Sequence, residues 1–190
     1  MKTLILATAL ASAFAAPAPS RADELQGTTV EVRYDYVGGG QDWHTSDSVM
    51  VSDDIELSCP GAAQLCNVLT VPTQTLDIDD RRIRYHYTGT GLNADFSDIA
   101  VNAFTFASLY GSDRRIAGVA LETTIDKLDL SRLSFADHSI RIDMRGLSAA
   151  PDAWFEIYAW TAPVPEPASA ALLLGGLALL AAQRRRAGRR

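Results

Sequence analysis

Thr29-Val30-Glu31-Val32-Arg33-Tyr34-Asp35-Tyr36-Val37 alternates two kinds of side chain. Val30, Val32, Tyr34 and Tyr36 share one parity, and Glu31, Arg33 and Asp35 share the other. Successive side chains of a strand point to opposite faces, so a period of two predicts a half-buried β-strand. Gly38-Gly39-Gly40 breaks it. The same signature recurs along the chain. In 82–87, Ile83, Tyr85 and Tyr87 oppose Arg82, Arg84 and His86. In 139–144, Ile140, Ile142 and Met144 oppose Arg141 and Asp143. In 153–160, Phe155 and Ile157 oppose Trp154, Glu156, Tyr158 and Trp160.

Weaker candidates fill the gaps. Residues 49–51 form a short strand candidate before the acidic turn Asp53-Asp54. Residues 67–71 form another, stopped by Pro72, and 75–78 precedes the charged turn Asp79-Asp80-Arg81. In 98–110, Ile99 and Val101 share a parity that Phe104 and Phe106 do not. A bulge, or a strand buried on both faces, accounts for that switch. Residues 116–124 put Ala117, Val119 and Leu121 on one face. Residues 125–133 fit a strand or one helical turn equally well. About nine short strands, spaced by Gly, Pro and Asp turns and with no long helix, predict an all-β fold: an antiparallel β-sandwich or jelly roll.

The two ends differ from this body. Lys2 precedes an apolar run at 4–16, the pattern of a signal peptide. Ser20-Arg21-Ala22 before Asp23 is a candidate cleavage site, and Ala13-Phe14-Ala15 is a second. The expected division is a signal peptide at 1–22, an ectodomain at 23–162 and a tail at 163–190. The ectodomain is long enough for one domain with a proper core. The tail runs Pro163-Val164-Pro165-Glu166-Pro167, then an apolar block at 168–182, then Arg184, Arg185, Arg186, Arg189 and Arg190. As a helix the block spans about 22 Å at ~1.5 Å per residue. A bilayer core is roughly 30 Å thick, so the block is a short transmembrane helix. It has no charged face, which argues against a surface-lying helix. The arginines stay cytoplasmic, which puts the body across the membrane. A plain C-terminal anchor and a buried helix are the alternatives.

The order Val164-Pro165-Glu166-Pro167, short apolar helix, basic terminus resembles the PEP-CTERM sorting signal of Gram-negative surface proteins. The resemblance covers 163–190. It implies processing by an exosortase, a membrane-embedded transpeptidase-like protease acting near the Pro-Glu-Pro. It also implies a host that exports exopolysaccharide and a destination at the cell surface or in the extracellular matrix. The inner membrane would hold a transient form with its ectodomain in the periplasm. The tail residues would be a substrate motif and do no catalysis.

Charge narrows the function classes. The 190 residues hold 17 Lys and Arg against 23 Asp and Glu. Two of the bases lie in the leader and five in the tail, with one acid, Glu166, in the tail. That leaves 10 bases and 22 acids in the body. A body so acidic does not bind nucleic acid through phosphate contacts. Cys59 and Cys66 are the only cysteines. In an exported chain their default state is a disulfide, and Pro60-Gly61 suits the tight turn it closes. A redox pair would more typically be Cys-x-x-Cys, and a metal site needs more ligands than two thiols.

Catalytic signals are faint. His44, His86 and His138 lie on separate segments without metal-ligand spacing. Asp137-His138-Ser139 is not a triad, because neighbours in an extended chain face opposite ways. The acids at Asp53-Asp54 and at Asp77-Ile78-Asp79-Asp80 lack a calcium-loop pattern and read as solvated turns. No carboxylate pair stands out for glycoside hydrolysis. No metal and no cofactor is expected. Trp154, Tyr158 and Trp160 share one parity of the last strand. Facing outward they form a sugar-stacking platform; facing inward they are core. Large aromatics dominate sandwich interiors, so core is the expectation, although Glu156 on the same parity argues for partial exposure. The first expectation for function is a non-enzymatic, exported surface or matrix protein with exopolysaccharide as a partner. A carbohydrate-binding module is the second, and a secreted hydrolase the third.

Overall fold

The computed structural model describes residues 25–68 and 73–163. In chain order the elements are β1 (Thr29–Gly38), β2 (Gln41–Met50), β3 (Leu57–Cys59), α1 (Leu65–Val68), β4 (Gln74–Ile78), β5 (Arg82–Tyr87) and β6 (Ala94–Asp95). They continue with β7 (Val101–Ala107), β8 (Arg114–Thr123), β9 (Leu133–Ala136), β10 (Ser139–Asp143), β11 (Ser148–Ala149) and β12 (Trp154–Pro163). One five-stranded sheet has the order β2-β1-β7-β10-β9, and the other β3-β4-β5-β12-β8. Every pairing among the described strands is antiparallel. The fold is an all-β antiparallel sandwich.

The alternation in the sequence decides what lies between the sheets. Val30, Val32 and Tyr34 of β1, Phe104 and Phe106 of β7, and Ile140 and Ile142 of β10 line one inner face. Ile83, Tyr85 and Tyr87 of β5 and Phe155, Ile157 and Ala159 of β12 line the other. Aromatic rings join the two layers. The ring of Phe104 lies 4.9 Å from Tyr34 and 5.7 Å from Tyr85, centroid to centroid. Tyr85 in turn stacks on Phe155 at 5.1 Å. The Tyr34 hydroxyl donates to Asn102 Oδ1 at 2.7 Å, so this buried phenol is satisfied.

The Tyr85 hydroxyl is different. It is buried and has no hydrogen-bond partner among the described residues. A buried donor left unpaired costs free energy that the ring packing must offset. Tyr85→Phe keeps the ring and removes the orphan. The variant is expected to gain about 1 kcal/mol in urea unfolding. A loss of stability would show that the hydroxyl has a partner.

Several elements depart from the sequence expectation. Of the short strand expected at 49–51, Val49 and Met50 are the end of a ten-residue strand, β2, and Val51 lies just beyond it. Residues 41–48 are almost wholly polar and carry no alternation, because β2 is an edge strand exposed along most of its length. The strand expected at 67–71 is not formed at its start, where 67 and 68 belong to α1; residues 69–72 lie outside the described residues. Asp47 of β2 explains the helical turn. Its carboxylate accepts from the backbone N–H of Gln64 at 2.9 Å and of Leu65 at 2.8 Å, groups that a helix start leaves unpaired.

In 98–110 the strand is β7, and residues 102–106 are all buried, so it is covered on both faces. In 116–124 a register shift separates Trp160↔Gly118 from Thr161↔Ile116. The extra residue on β8 is Ala117, which is exposed, while Ile116 turns inward. Ala117 therefore does not share the core face of Val119 and Leu121. Residues 125–133 resolve into a turn plugged by Ile125 and Leu128 and a short 3-10 helix, Leu130–Arg132, that leads into β9.

Candidate functional site

β12 is bonded on both sides, to β5 and to β8. Its alternation sends Phe155, Ile157 and Ala159 into the core, where each is buried. Trp154, Glu156, Tyr158 and Trp160 consequently lie on the outer face of the sheet. This corrects the expectation of an aromatic core here. The interior was already filled by Tyr85, Phe96, Phe104 and Phe155, and strand parity left the other row no choice.

The pairing register assembles the face. Trp154 stands opposite His86, Glu156 opposite Arg84, and Tyr158 opposite Arg82. On the other side Glu156 faces Glu122 and Trp160 faces Gly118. One strand further out, Asp77 lies opposite Arg84. Arg82 holds the centre. It contacts Asp79 at 2.8 Å, Asp77 at 3.2 Å and Glu156 at 3.2 Å. Arg84 reaches Glu156 at 3.5 Å, and its guanidinium carbon lies 5.7 Å from the centre of the Trp154 ring. Burial works against the Arg82 charge, but Asp79, Glu156 and Asp77 outweigh it and hold its pKa above the ordinary guanidinium value. The Tyr158 hydroxyl donates to Glu156 Oε2 at 2.5 Å, and that bond raises the phenol's pKa.

The three aromatic rings are not equivalent. Trp154 has Arg84 over its ring. Tyr158 is half-buried and tied to Glu156. Trp160 is 49% exposed, and its indole lies on Gly118. A Cβ at Gly118 would stand 2.1 Å from Trp160 Cζ2, so only glycine lets the ring lie there. Six residues of strand separate the two tryptophans by about 20 Å. The chemistry available is stacking of flat apolar sugar faces and hydrogen bonding to hydroxyls. Asp77 and Glu156 share one guanidinium on an open sheet face, so they are not two carboxylates facing each other across a cleft.

The second polar cluster was invisible in the sequence. Asp35 sits on the outer face of the opposite sheet, yet it is only 5% exposed. His44 Nδ1 lies 2.7 Å from its Oδ1, Arg141 Nη1 donates to Oδ2 at 3.0 Å, and Arg33 Nε is 3.4 Å away. His44 Nε2 lies 3.0 Å from Asp42. Burial tends to raise the Asp35 carboxyl, but His44, Arg141 and Arg33 outweigh it and hold it below its ordinary value. The bond to Asp35 raises the His44 pKa, with a further contribution from Asp42. A lowered acid stabilises the fold above its unfolded pKa, here 3.8, and loses that contribution as pH falls through its folded value. A raised histidine contributes fully below 6.5 and loses its contribution as pH rises through its folded value. The cluster is therefore complete between those limits. In an NMR titration the His44 ring is expected to show a midpoint above 6.5 that falls back in Asp35→Asn. An unshifted midpoint in the parent protein would rule out the pair.

The remaining candidates fall as follows. Cys59 and Cys66 form a disulfide, with Cα atoms 5.3 Å apart. His86 Nε2 lies 2.7 Å from Asp152, and His138 Nδ1 lies 3.2 Å from the Leu109 carbonyl. The three histidines thus stay apart. Among the described residues no group of three or more His, Cys, Asp and Glu side chains could hold a metal ion. Among the described residues, too, no helix is long and apolar enough to cross a membrane. The leader at 1–22 and the sorting motif Val164, Pro165, Glu166 and Pro167, with the apolar block behind it, lie outside the described residues.

The described residues end on a paired strand. The β12 ladder runs to Pro163, opposite Arg114, and the next residue is Val164. An all-β sandwich thus leads straight into the Pro-Glu-Pro segment. Residues 163–190 match the family model described as the PEP-CTERM protein-sorting motif. The chain carries that motif as the address of a protein handled by an exosortase and routed through the membrane to the cell surface. No curated protein and no solved structure matches the chain significantly.

Proposed function

We propose that the sandwich is a non-catalytic component of the cell surface or of the polysaccharide matrix around the cell, and that the tail is removed on delivery. The observation that carries this is the joining of an acidic β-sandwich to a sorting motif without an intervening linker. Loss of the tail takes five arginines with it and leaves a strongly acidic product. Self-repulsion keeps such a product soluble at the surface. Mass spectrometry of the mature protein from its native host tests the maturation step, with a C terminus upstream of Ala168 expected. A C terminus at Arg190 would point to a permanent anchor. Fractionation of the matrix tests the destination, and protein confined to the inner membrane would remove it.

A second reading is a carbohydrate-binding module, supported by the outward placement of Trp154, Tyr158 and Trp160. The ion pairs bear on the ligand. The carboxylates of Asp77, Asp79 and Glu156 already occupy Arg82, and Glu156 also occupies Arg84. Glu122 and Asp152 border the same face. Such a surface repels a polyanion and suits a neutral glycan. Trp160→Ala, with folding intact, is expected to abolish retention on immobilised neutral polysaccharide. Unchanged retention would remove this reading.

A further inference from the structure

We infer that the processing enzyme must unpair residues 161–163 of β12 before it can engage the sorting motif, and that Trp160 is where the unpairing stops. This rests on the exosortase reading of the tail. A protease takes its substrate as an extended segment, commonly by pairing with it as an added strand. Here the motif begins one residue beyond a strand that is already paired. Residues just ahead of Val164 cannot serve both β8 and an enzyme's cleft.

The end of β12 is built to come away. The β5 ladder reaches only to Tyr158, with one more bond, Ala159 N–H to the Arg81 carbonyl at 2.9 Å. The β8 ladder is interrupted between Trp160 and Thr161 by the bulge at Ala117. Beyond the bulge, three pairs remain among the described residues: Thr161↔Ile116, Ala162↔Arg115 and Pro163↔Arg114. Proline has no N–H, so the last pair lacks one of its donors. Burial falls along the same path. Ala159 is buried, Thr161 and Ala162 are half-buried, and Pro163 is exposed. Short, poorly buried strand ends of this kind open locally without global unfolding. Trp160 ends the secure part, because its indole is laid on Gly118 just before the bulge. Peeling past it would lift that ring off the sheet.

The test is a removable lock. Arg115→Cys with Ala162→Cys places a cysteine on each member of a paired, solvent-accessible position. The full chain, oxidised to cross-link the pair, is incubated with host membranes that contain the processing enzyme. Conversion of the cross-linked form is expected to be at least about tenfold slower than after reduction. The parent chain with and without reductant controls for the Cys59–Cys66 bond. A flexible Gly-Ser spacer inserted between Pro163 and Val164 is expected to restore conversion of the locked form. Conversion of the locked chain at the reduced rate overturns the inference. Amide exchange in which Thr161 and Ala162 are as slow as residues 155–159 overturns it as well, with no enzyme needed. A parent chain that is not converted at all removes the exosortase reading and the inference together.

Discussion

Phe155→Ala is expected to cost about 3–5 kcal/mol of folding stability. Phe155 is fully buried, on the strand that both neighbours of the second sheet depend on. Its ring stacks on Tyr85 at 5.1 Å, and Tyr85 carries the contact across to Phe104 of the other sheet. Truncation removes one end of that chain of rings and leaves Tyr85 without its stacking partner. The gap cannot close easily, because Ile157 and Ile83 beside it are pinned by the β12–β5 ladder. Domains are stable by about 5–15 kcal/mol in all, so the variant should stand near the edge of folding at body temperature. Urea unfolding measures it, as a lower midpoint with an unchanged slope. A loss below about 1 kcal/mol would mean that the core repacks around the void.

Arg82→Ala is expected to cost about 2–3 kcal/mol, less than the full penalty of breaking a buried ion pair because water still reaches part of the site. The loss arises from what remains. Glu156 is only 8% exposed and would keep a distant partner in Arg84 at 3.5 Å, along with the Tyr158 hydroxyl. Asp77 and Asp79 would lose the cation they share. If this account is right, the penalty shrinks when Glu156→Gln is present, since the carboxylate that needed Arg82 is then neutral. A double-mutant cycle reads that coupling directly. Additive losses would mean that Arg82 acts through its packing and not through its charge.

How much of this could be read from the sequence depends on where each strand lies. β5 and β10 were legible because one face is dry and the other wet, so Ile83, Tyr85 and Tyr87, and likewise Ile140 and Ile142, stand out against charged neighbours. β2 was not, because an exposed edge strand needs no apolar row; its Trp43 and His44 belong to contacts with Tyr36 and Asp35 that only the register reveals. Asp35 looked like any outward acid. One of its partners is Arg141, 106 positions away in sequence, which the β1–β7–β10 order brings across. Trp154, Tyr158 and Trp160 are legible as one row of β12, but the direction of that row is not. Aromatic residues favour the interior by type, but Phe155 and Ile157 occupy it on this strand. The bulge at Ala117 is not legible in the sequence, because the extra residue is itself apolar and continues the row of Val119 and Leu121.

The position of β12 has a mechanical meaning. If the tail holds the protein in the membrane until it is processed, a pull on the body acts in that interval as tension on Pro163, directed along the strand. After the last few residues yield, the load meets a strand bonded on one side to β5 and on the other to β8. Those bonds lie across the line of pull, so they are strained together in shear and do not open one after another like a zip. An attachment point on a terminal hairpin would unravel from its end. This one leaves from an inner strand of its sheet, where two flanking ladders share the load.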